Sequence, residues 1–347
     1  VRLGALGDII HTIPSAYFLR KKFPTSRIDW IVEKRSSELI RGSSLINSII
    51  EIDTKKWRKE ILNPASTFST IREISQIIKL IRKRQYDAAI DFQGLIKSGI
   101  ITYLSKAKKT IGFNKKHLRE PMNFYFIKEH ISPDKKDVHI IEKNLSLLKG
   151  IGIDSYNVED FKADLSIFGA ESLKEKTLNK YNLKPKEQTI VGIYPGGGWQ
   201  TKLLETFKYA ELIRKICNSN RFEILLIEGK DERELTSKIL QNLKNPIQCI
   251  RNTSIKELAV VLSYIDILIG PDTGPLHLAS ILGTPTIGIY GPSSPRRNGP
   301  YWGKHKVVYK EFPCSNCYKR KCNDMRCLKE ISAEDIYKAF NELVDEV

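Results

Sequence analysis

An acidic residue follows a short apolar segment and a glycine turn near the start of the chain. The sequence VRLGALGDIIHT places Asp8 just after Gly4 and Gly7, where a strand gives way to a helix. Glycines allow a tight turn there and let a ligand approach the backbone closely, because they have no Cβ atom. Asp8 can accept a proton as a general base, since a helix N-terminus stabilises its ionised form, or it can simply cap the helix. The stretch alone leaves both interpretations open.

A glycine-rich turn follows a predicted strand in IVGIYPGGGWQTK, which starts at residue 190. The strand ends at Tyr194, and Thr201 and Lys202 lead from the turn toward the next helix. Free backbone N–H groups, a hydroxyl and a lysine can together cradle phosphate oxygens. The G-x-x-x-x-G-K-[ST] spacing of a P-loop is absent, so the stretch predicts a different kind of phosphate site.

A second strand-turn-helix segment is PDTGPLHLAS, starting at residue 271. Asp272, Thr273 and Gly274 open a helix that carries His277 on its first turn. Exposed N–H groups beside a hydroxyl suit a diphosphate. A lone histidine on a helix is more often structural than functional, but this context favours a functional segment.

An acidic pair, Asp231 and Glu232, also follows a predicted strand. An acid in such a place commonly accepts hydrogen bonds from ribose hydroxyls. The ordinary first turn of an acidic helix would look the same, and both interpretations stay open.

Four cysteines near the end of the chain have the spacing C-x2-C-x4-C-x4-C. They are Cys314, Cys317, Cys322 and Cys327. In a cytoplasmic chain disulfides are disfavoured, so the spacing predicts a structural zinc site. It also matches a zinc knuckle with Cys in place of His, and several basic residues lie inside it, which makes a nucleic-acid-binding protein the contrasting hypothesis. That hypothesis leaves Asp8 and both phosphate-type turns unexplained.

Composition predicts a two-domain globular protein with an anionic partner. The chain has 347 residues, of which 41% are hydrophobic, more than one core normally fills. Lys and Arg outnumber Asp and Glu by 57 to 40, a formal charge of +17, which favours nucleic acid, anionic lipid headgroups or a phosphorylated glycolipid. A Lys-rich genome would raise this number too. We expect a cytoplasmic protein, because no long apolar run or secretory signal is evident.

Short apolar runs alternate with helical patterns, which predicts an α/β fold with parallel sheets. The predicted strands are 27–32, 48–52, 88–92, 109–113, 190–194, 222–228, 265–270 and 286–290, and two of the predicted helices are 71–83 and 95–104. We assign one domain to 1–165, a second to 166–331 and a final helix, capped by Ser332, to 332–347. Ligands of such sheets bind beyond the carboxyl ends of the strands, so we expect the motifs at a cleft between the domains.

Three segments, in their order along the chain, resemble the bacterial lipopolysaccharide heptosyltransferases, which form glycosyltransferase family 9. They are LGALGDIIHT, PGGG followed by Thr201-Lys202, and PDTGPLHLAS. The likeness covers most of the chain. The segments that resemble the branch adding the first heptose to Kdo are KKWRKEI at 55–61, DAAIDFQGLIKSG at 87–99, HLREP at 117–121 and DVHIIEKN at 137–144. The resemblance implies a GT-B fold of two Rossmann-like domains, with the final helix crossing back onto the N-terminal domain.

The resemblance also implies roles for individual residues. Asp8 would be the general base. The donor-binding residues would be Thr201, Lys202, Glu232, Asp272, Thr273, Gly274 and His277. The acceptor-binding residues would be His11, Arg58, Lys59, Lys97, Arg119 and Lys143. Each of the basic residues could otherwise be a solvated surface charge.

The function implied by the resemblance is inverting transfer of heptose from ADP-heptose to the Kdo of Kdo–lipid A. We expect no cofactor in catalysis and no nucleic-acid partner, and a peripheral association with the inner face of the inner membrane. Alternatives in the same class are transfer of the second heptose, as by a heptosyltransferase II, or use of another sugar nucleotide.

Overall fold

The computed structural model describes residues 1–134, 138–183 and 187–347. The chain divides into two compact units, Val1–Phe161 and Lys162–Val347. The predicted domain boundary at residue 165 therefore lies just inside the second unit. Asp137, the first residue of the DVHIIEKN segment, lies outside the described residues.

The strands of the first unit are all parallel. They are β1 (Asp29–Glu33), β2 (Ser48–Ile52), β3 (Ala88–Ile90), β4 (Lys109–Phe113) and β5 (Glu129–Ile131). They pair as β1 with β2, and as β3, β4 and β5 in that order.

An extended segment, Val1 to Leu3, lies between the two groups of strands. On one side the Arg2 N–H donates to the Ile31 carbonyl at 3.2 Å. On the other side the Phe92 N–H donates to the Val1 carbonyl at 3.1 Å. The segment that precedes Asp8 therefore lies at the centre of the unit. After it the chain forms β1 and β2 on one side, and β3, β4 and β5 then form on the other side.

Local sequence signals explain where the helices of this unit begin. The helices are α1 (Leu6–Ile10), α2 (Ile13–Lys22), α3 (Thr54–Glu60), α4 (Pro64–Lys83), α5 (Ile96–Leu104) and α6 (Ile140–Ser146). Short 3₁₀ helices are Lys34–Ile40, Lys115–His117, Pro121–Phe126, Leu147–Ile151 and Val158–Asp160. The Asp53 side chain accepts the Lys56 N–H at 2.9 Å and starts α3, and Asn63 caps α4 ahead of Pro64. The predicted helices at 71–83 and 95–104 are confirmed, although α4 begins earlier.

The second unit is built around one parallel sheet. Its strands are β6 (Thr189–Ile193), β7 (Phe222–Ile227), β8 (Gln248–Ile250), β9 (Ile267–Pro271), β10 (Thr286–Tyr290) and β11 (His305–Tyr309), in the spatial order β11-β10-β9-β6-β7-β8. The chain starts at β6, moves outward to β8, and returns to β9 on the other side of β6. This reversal between β6 and β9 is the place where open parallel sheets bind ligands.

Helices connect these strands. They are α7 (Lys174–Lys180), α8 (Thr206–Cys217), α9 (Arg233–Gln241), α10 (Ile255–Tyr264), α11 (Gly274–Ile281), α12 (Pro295–Asn298), α13 (Arg326–Lys329) and α14 (Ala333–Val344). Short 3₁₀ helices are Leu165–Phe168, Glu171–Leu173 and Gln200–Lys202. Among the described residues, none of the helices has the length and apolar character needed to cross a bilayer.

The final helix begins where the sequence predicts, and its apolar face packs on the second unit. Ser332 and Asp335 form a capping box at its start. Its apolar face, which includes Ile336 and Phe340, is buried against α8, β10 and β11, and the Phe340 ring centroid lies 5.0 Å from that of Phe222. The apolar face is thus buried within the second unit, and the predicted packing of this helix on the N-terminal domain stays a prediction.

We expect Phe340→Ala to lower the free energy of unfolding by about 3 kcal/mol or more, because it leaves a cavity in the core of the second unit. Lys338→Ala, at an exposed position of the same helix, is the matched control. Urea unfolding of both variants checks this. Equal midpoints for the two variants would contradict the packing described here.

Candidate active site

The loops that follow β6 and β9 are joined by one side chain. The Lys202 Nζ donates to the Asp272 Oδ2 at 2.7 Å and to the Asp272 carbonyl at 2.6 Å. The Asp272 side chain is buried and that of Lys202 nearly so. Two motifs that are far apart in the sequence therefore form one site at the reversal point of the sheet.

Asp272 is also bound by His277, which is buried and lies on the first turn of α11. The His277 Nε2 lies 2.9 Å from the Asp272 Oδ1. Burial alone would raise the pKa of Asp272, but the hydrogen bond and charge of His277 and the charge of Lys202 outweigh it and hold that pKa well below its ordinary value. Both carboxylate oxygens have protein partners. Asp272 and His277 therefore position Lys202, and their predicted contact with the donor stays a prediction.

The N-terminus of α11 adds backbone donors beside this cluster. Thr273 is the N-cap, and its hydroxyl donates to the Pro271 carbonyl at 3.2 Å, so no side-chain cap bond covers the first turn among the described residues. The first amides of a helix lack intrahelical partners, and the helix dipole is positive there. Lys202 has three N–H donors, of which Asp272 uses two. Lys202, Thr273 and Gly274 thus form an arrangement suited to a diphosphate.

Glu232 holds the glycine-rich turn in place. Its carboxylate accepts the Tyr194 hydroxyl at 3.1 Å and the Gly229 N–H at 2.9 Å. Burial raises the pKa of this carboxyl. A Cβ atom on Gly196 would lie 1.8 Å from both carboxylate oxygens of Glu232, so a larger residue there would displace this carboxylate. Glu232 belongs to the site, and its predicted contact with the donor stays a prediction.

The segment 314–327, here called the cysteine loop, contacts the same turn. The Thr201 hydroxyl is buried and donates to the Lys319 carbonyl at 2.7 Å. The predicted contact of this hydroxyl with a phosphate stays a prediction. The Trp199 ring centroid lies 4.8 Å from the Lys202 Nζ and 4.9 Å from the Arg320 Cζ. Neither Trp199 nor Arg320 was predicted as a site residue, although an aromatic residue directly after PGGG was a visible signal.

The cysteine loop brings its four thiols to one place. All four cysteines line one small cavity, together with Thr201 and Asp324. Within residues 1–134, 138–183 and 187–347, however, no group of three or more His, Cys, Asp or Glu side chains is arranged to hold a metal ion. The predicted zinc site at Cys314, Cys317, Cys322 and Cys327 stays a prediction.

In the first unit, Asp8 is both a helix cap and an accessible carboxylate. Its Oδ2 accepts the Ala5 N–H at 3.1 Å, and its Oδ1 lies 2.8 Å from the Arg2 Nη2. The Asp8 side chain is 42% exposed, whereas that of Arg2 is only 6% exposed. The buried Arg2 guanidinium, which also bonds the Phe92 carbonyl, fixes the direction of the carboxylate. The two interpretations of Asp8 are thus compatible.

Helix α6 packs against the segment that follows Asp8. The Asn144 side-chain amide donates to the His11 carbonyl at 2.9 Å and to the Thr12 hydroxyl at 3.3 Å. Lys143 precedes Asn144 on α6, so Lys143 and His11 lie near α1. His11 is buried beside the His139 ring, at 6.0 Å between centroids. The structure exposes little of His11, and its predicted acceptor contact remains untested.

Other predicted acceptor residues gather around the start of α5. The Lys97 Nζ lies 3.0 Å from Glu33 Oε1 and donates to Thr54 Oγ1 at 3.1 Å, and Thr54 begins the helix that carries Arg58 and Lys59. Arg119 is exposed and precedes Glu120, whose carboxylate accepts the Ile96 N–H at 2.7 Å. The structure thus brings Arg58, Lys59, Lys97 and Arg119 to one region of the first unit.

A buried aspartate that was not predicted as functional positions this region. Asp91 accepts the Gln93 N–H at 2.8 Å, the Ser98 hydroxyl at 2.9 Å and the Asn123 amide at 2.7 Å. It thereby fixes the turn into α5 and the orientation of Lys97. The acid at the end of an apolar strand in DAAIDFQG was the available signal.

Comparisons with known proteins agree with this geometry. Residues 74–327 match the family described as glycosyltransferase family 9 (heptosyltransferase). Lipopolysaccharide heptosyltransferase 1 of Pseudomonas aeruginosa is 26% identical over 327 residues, covering 93% of this chain and 86% of that protein. The protein of the same name from Campylobacter coli is 26% identical over 349 residues, covering 99% and 97%.

Solved structures show the same fold. E. coli heptosyltransferase WaaC with ADP matches with a TM-score of 0.77 and 22% identity, covering 98% of each chain. E. coli ADP-heptose lipopolysaccharide heptosyltransferase II matches with a TM-score of 0.73 and 20% identity, covering 98% of this chain and 96% of that chain. The predicted GT-B fold class is confirmed.

We expect Asp272→Asn to flatten the acid limb of the stability profile. Because the folded pKa lies below the ordinary value of 3.8, the ionised carboxylate stabilises the fold above that value, and this is lost as the pH falls toward the folded pKa. Urea unfolding between about pH 5 and pH 2 should give a steeper loss for the parent protein than for the variant. Asp154→Asn, at an exposed acid, is the control. Parallel profiles for parent and Asp272→Asn would contradict the network.

Proposed function

We propose that this chain, which belongs to glycosyltransferase family 9, the heptosyltransferases, transfers heptose from ADP-heptose to the Kdo of a Kdo–lipid A acceptor. The chain is a heptosyltransferase of lipopolysaccharide core biosynthesis. The identity of the acceptor and the roles of the individual residues are our proposal. It involves no cofactor in the transfer and no nucleic acid.

The donor assignment rests on one observation, the placement of Lys202 between the loops that follow β6 and β9. The diphosphate of a nucleotide sugar fits this position, because α11 offers amide donors and Lys202 has a third N–H directed by its bonds to Asp272. Negative charge grows on the leaving diphosphate as the bond to the anomeric carbon breaks. A fixed ammonium group in a partly buried site stabilises that charge most in the transition state.

Asp8 is the proposed base. The acceptor hydroxyl gives its proton to the carboxylate while its oxygen forms a bond to the anomeric carbon of heptose. The bond from that carbon to the diphosphate oxygen breaks, and ADP leaves with the electron pair. Attack opposite the leaving group inverts the configuration. The exposure of Asp8 lets a hydroxyl reach it, and Arg2 compensates its charge before the proton arrives.

The acceptor assignment rests on the basic group around α3 and α5. Arg58, Lys59, Lys97 and Arg119 would bind the carboxylates and phosphates of Kdo–lipid A, which is strongly anionic. Lys143 and His11 would lie nearer the base. Since this acceptor is a membrane lipid, we place the protein on the cytoplasmic side, peripherally associated with the inner face of the inner membrane.

A second acceptor within the same class is a first heptose already attached to Kdo. The fold match to heptosyltransferase II favours keeping it as the alternative. Transfer to Kdo–lipid A and to its heptosylated form, assayed side by side, separates the two. Preference for the heptosylated lipid would change the acceptor and leave the donor site as proposed.

We expect Lys202→Gln to weaken ADP binding about tenfold or more, because a hydrogen bond from a charged donor to the diphosphate is lost. Titration calorimetry with ADP measures this. Lys215→Gln, on α8 and paired with Glu334, is the control for charge removal. Unchanged affinity in a folded Lys202→Gln protein would place the diphosphate elsewhere.

We expect Asp8→Asn to lower kcat about a hundredfold or more, because an amide cannot accept the proton. The amide oxygen can still accept the Ala5 N–H, so the cap is retained and ADP binding should not change. Asp164→Asn, which alters another capping carboxylate, is the control. If Asp8→Asn kept its rate and only Asp8→Ala lost activity through a lower melting temperature, Asp8 would be a cap alone.

A further inference from the structure

The turn between α3 and α4 exposes large apolar side chains. Leu62 is 82% exposed, Phe68 is 80% exposed and Ile71 is 51% exposed. Of the residues in α4, only Thr70 and Ile81 are buried. The helix therefore covers little of its own unit, and an apolar patch of this kind marks an interaction surface. We call residues 61–82 the α4 surface.

Positive charges follow the apolar residues along the same helical stripe. Five residues share one side of α4, because their spacing follows the turns of the helix. They are Phe68, Ile71, Arg72, Ser75 and Lys79. The apolar side chains lie near the start of the helix and the basic ones further along it. This is the pattern of a helix that lies in the plane of a membrane surface.

The charge on this surface and on the adjoining helix α3 is mainly positive. Residues 54–83 hold eight Lys or Arg side chains against two carboxylates, Glu60 and Glu73. Both carboxylates are engaged by Lys56, at 3.9 Å and 2.7 Å. Within the described part of the chain neither Arg72 nor Lys79 forms an ion pair. The net charge available to a partner is positive.

An open apolar cleft of about 220 Å³ lies behind the helix. It is lined mainly by aliphatic and aromatic side chains, among them Trp57, Ile74, Ile77, Ile78 and Ile100. Such a lining offers few hydrogen bonds to water and suits a hydrocarbon chain. The cleft therefore adds apolar surface on the side of α4 that bears Ile74, Ile77 and Ile78.

We propose that the α4 surface docks on an anionic lipid bilayer, with Leu62, Phe68 and Ile71 entering the boundary between headgroups and acyl chains. Arg72 and Lys79 bind the anionic headgroups beside them. The biological purpose rests on the proposed function, because docking brings the first unit to a lipid acceptor. The docking itself requires neither ADP-heptose nor Kdo–lipid A.

Charge complementarity favours a bilayer over a second copy of this chain. In a twofold dimer the same surface meets itself, so Arg72 and Lys79 of one copy would approach the same positive surface of the other. An anionic membrane neutralises these charges instead. The bilayer is the partner that satisfies both the apolar and the charged parts of the surface.

Sedimentation with vesicles that contain no acceptor lipid tests the proposal. The full chain should bind vesicles of phosphatidylcholine with phosphatidylglycerol, and bind those of phosphatidylcholine alone far more weakly. Leu62→Ser with Phe68→Ser should reduce binding about tenfold or more, given the apolar area lost. Phe207→Ser is the matched control, since Phe207 is 53% exposed on the second unit. Arg72→Gln with Lys79→Gln should weaken binding to the anionic vesicles only.

Equal binding by the Leu62→Ser, Phe68→Ser protein and the parent would overturn the proposal, as would failure of the parent to bind acceptor-free anionic vesicles. A parent dimer that this variant converts to a monomer, seen by sedimentation velocity, would assign the surface to self-association instead. Melting curves confirm that the variants are folded.

Transfer to a deacylated, water-soluble Kdo acceptor separates this proposal from the proposed function. The Leu62→Ser, Phe68→Ser protein should retain that transfer and lose transfer to acceptor embedded in vesicles. If the parent transfers heptose to neither acceptor, and the variant still loses vesicle binding, the docking surface is supported and the proposed acceptor is rejected.

Discussion

The contact between Lys202 and Asp272 is the interaction on which the candidate donor site depends. It joins the loops after β6 and β9, neighbouring strands between which the chain reverses its direction across the sheet. A buried carboxylate needs compensation, and Lys202 and His277 provide it. Because the ammonium group is held through two bonds to Asp272, its remaining donor has a defined direction. The positive end of α11 then lies beside a fixed cation, which is the combination that a diphosphate requires.

In the first unit, too, a polar residue of the candidate site follows a central extended segment. Its central segment, Val1 to Leu3, has β1 on one side and β3 on the other, and Asp8 follows directly. The role proposed for Asp8 requires a carboxylate that is accessible and has a fixed direction; its side chain is exposed, and the buried Arg2 fixes its direction. Asp91 acts in a comparable way at the end of β3, where it organises the turn that carries Lys97. The buried Arg2 thus orients the exposed Asp8, and the buried Asp91 holds the turn that carries Lys97.

Sequence patterns predicted the elements that are long or sharply bounded. The predicted bounds of β2, β4 and β10 agree with the structure, because each is an apolar run that ends at a turn. Strands β5 and β8 have three residues each, too few for an alternation to be seen. The cap of α14 was readable, whereas the contacts of its apolar face with α8, β10 and β11 depend on tertiary structure. The phosphate-type turns were also readable one at a time, whereas the contact of Trp199 with Arg320 depends on tertiary structure. The cysteine spacing indicated that the four thiols lie together, and in the structure they line one cavity.

The most direct test of the central claim is mass spectrometry of the products formed by the full chain from ADP-heptose and Kdo–lipid A in the presence of a chelator. The account predicts that one heptose is added to the lipid for each ADP released, and that the new glycosidic bond has the configuration opposite to that of the donor, by NMR. Release of ADP without a heptosylated lipid, or transfer with retained configuration, would contradict it, since neither is compatible with inverting transfer to the proposed acceptor.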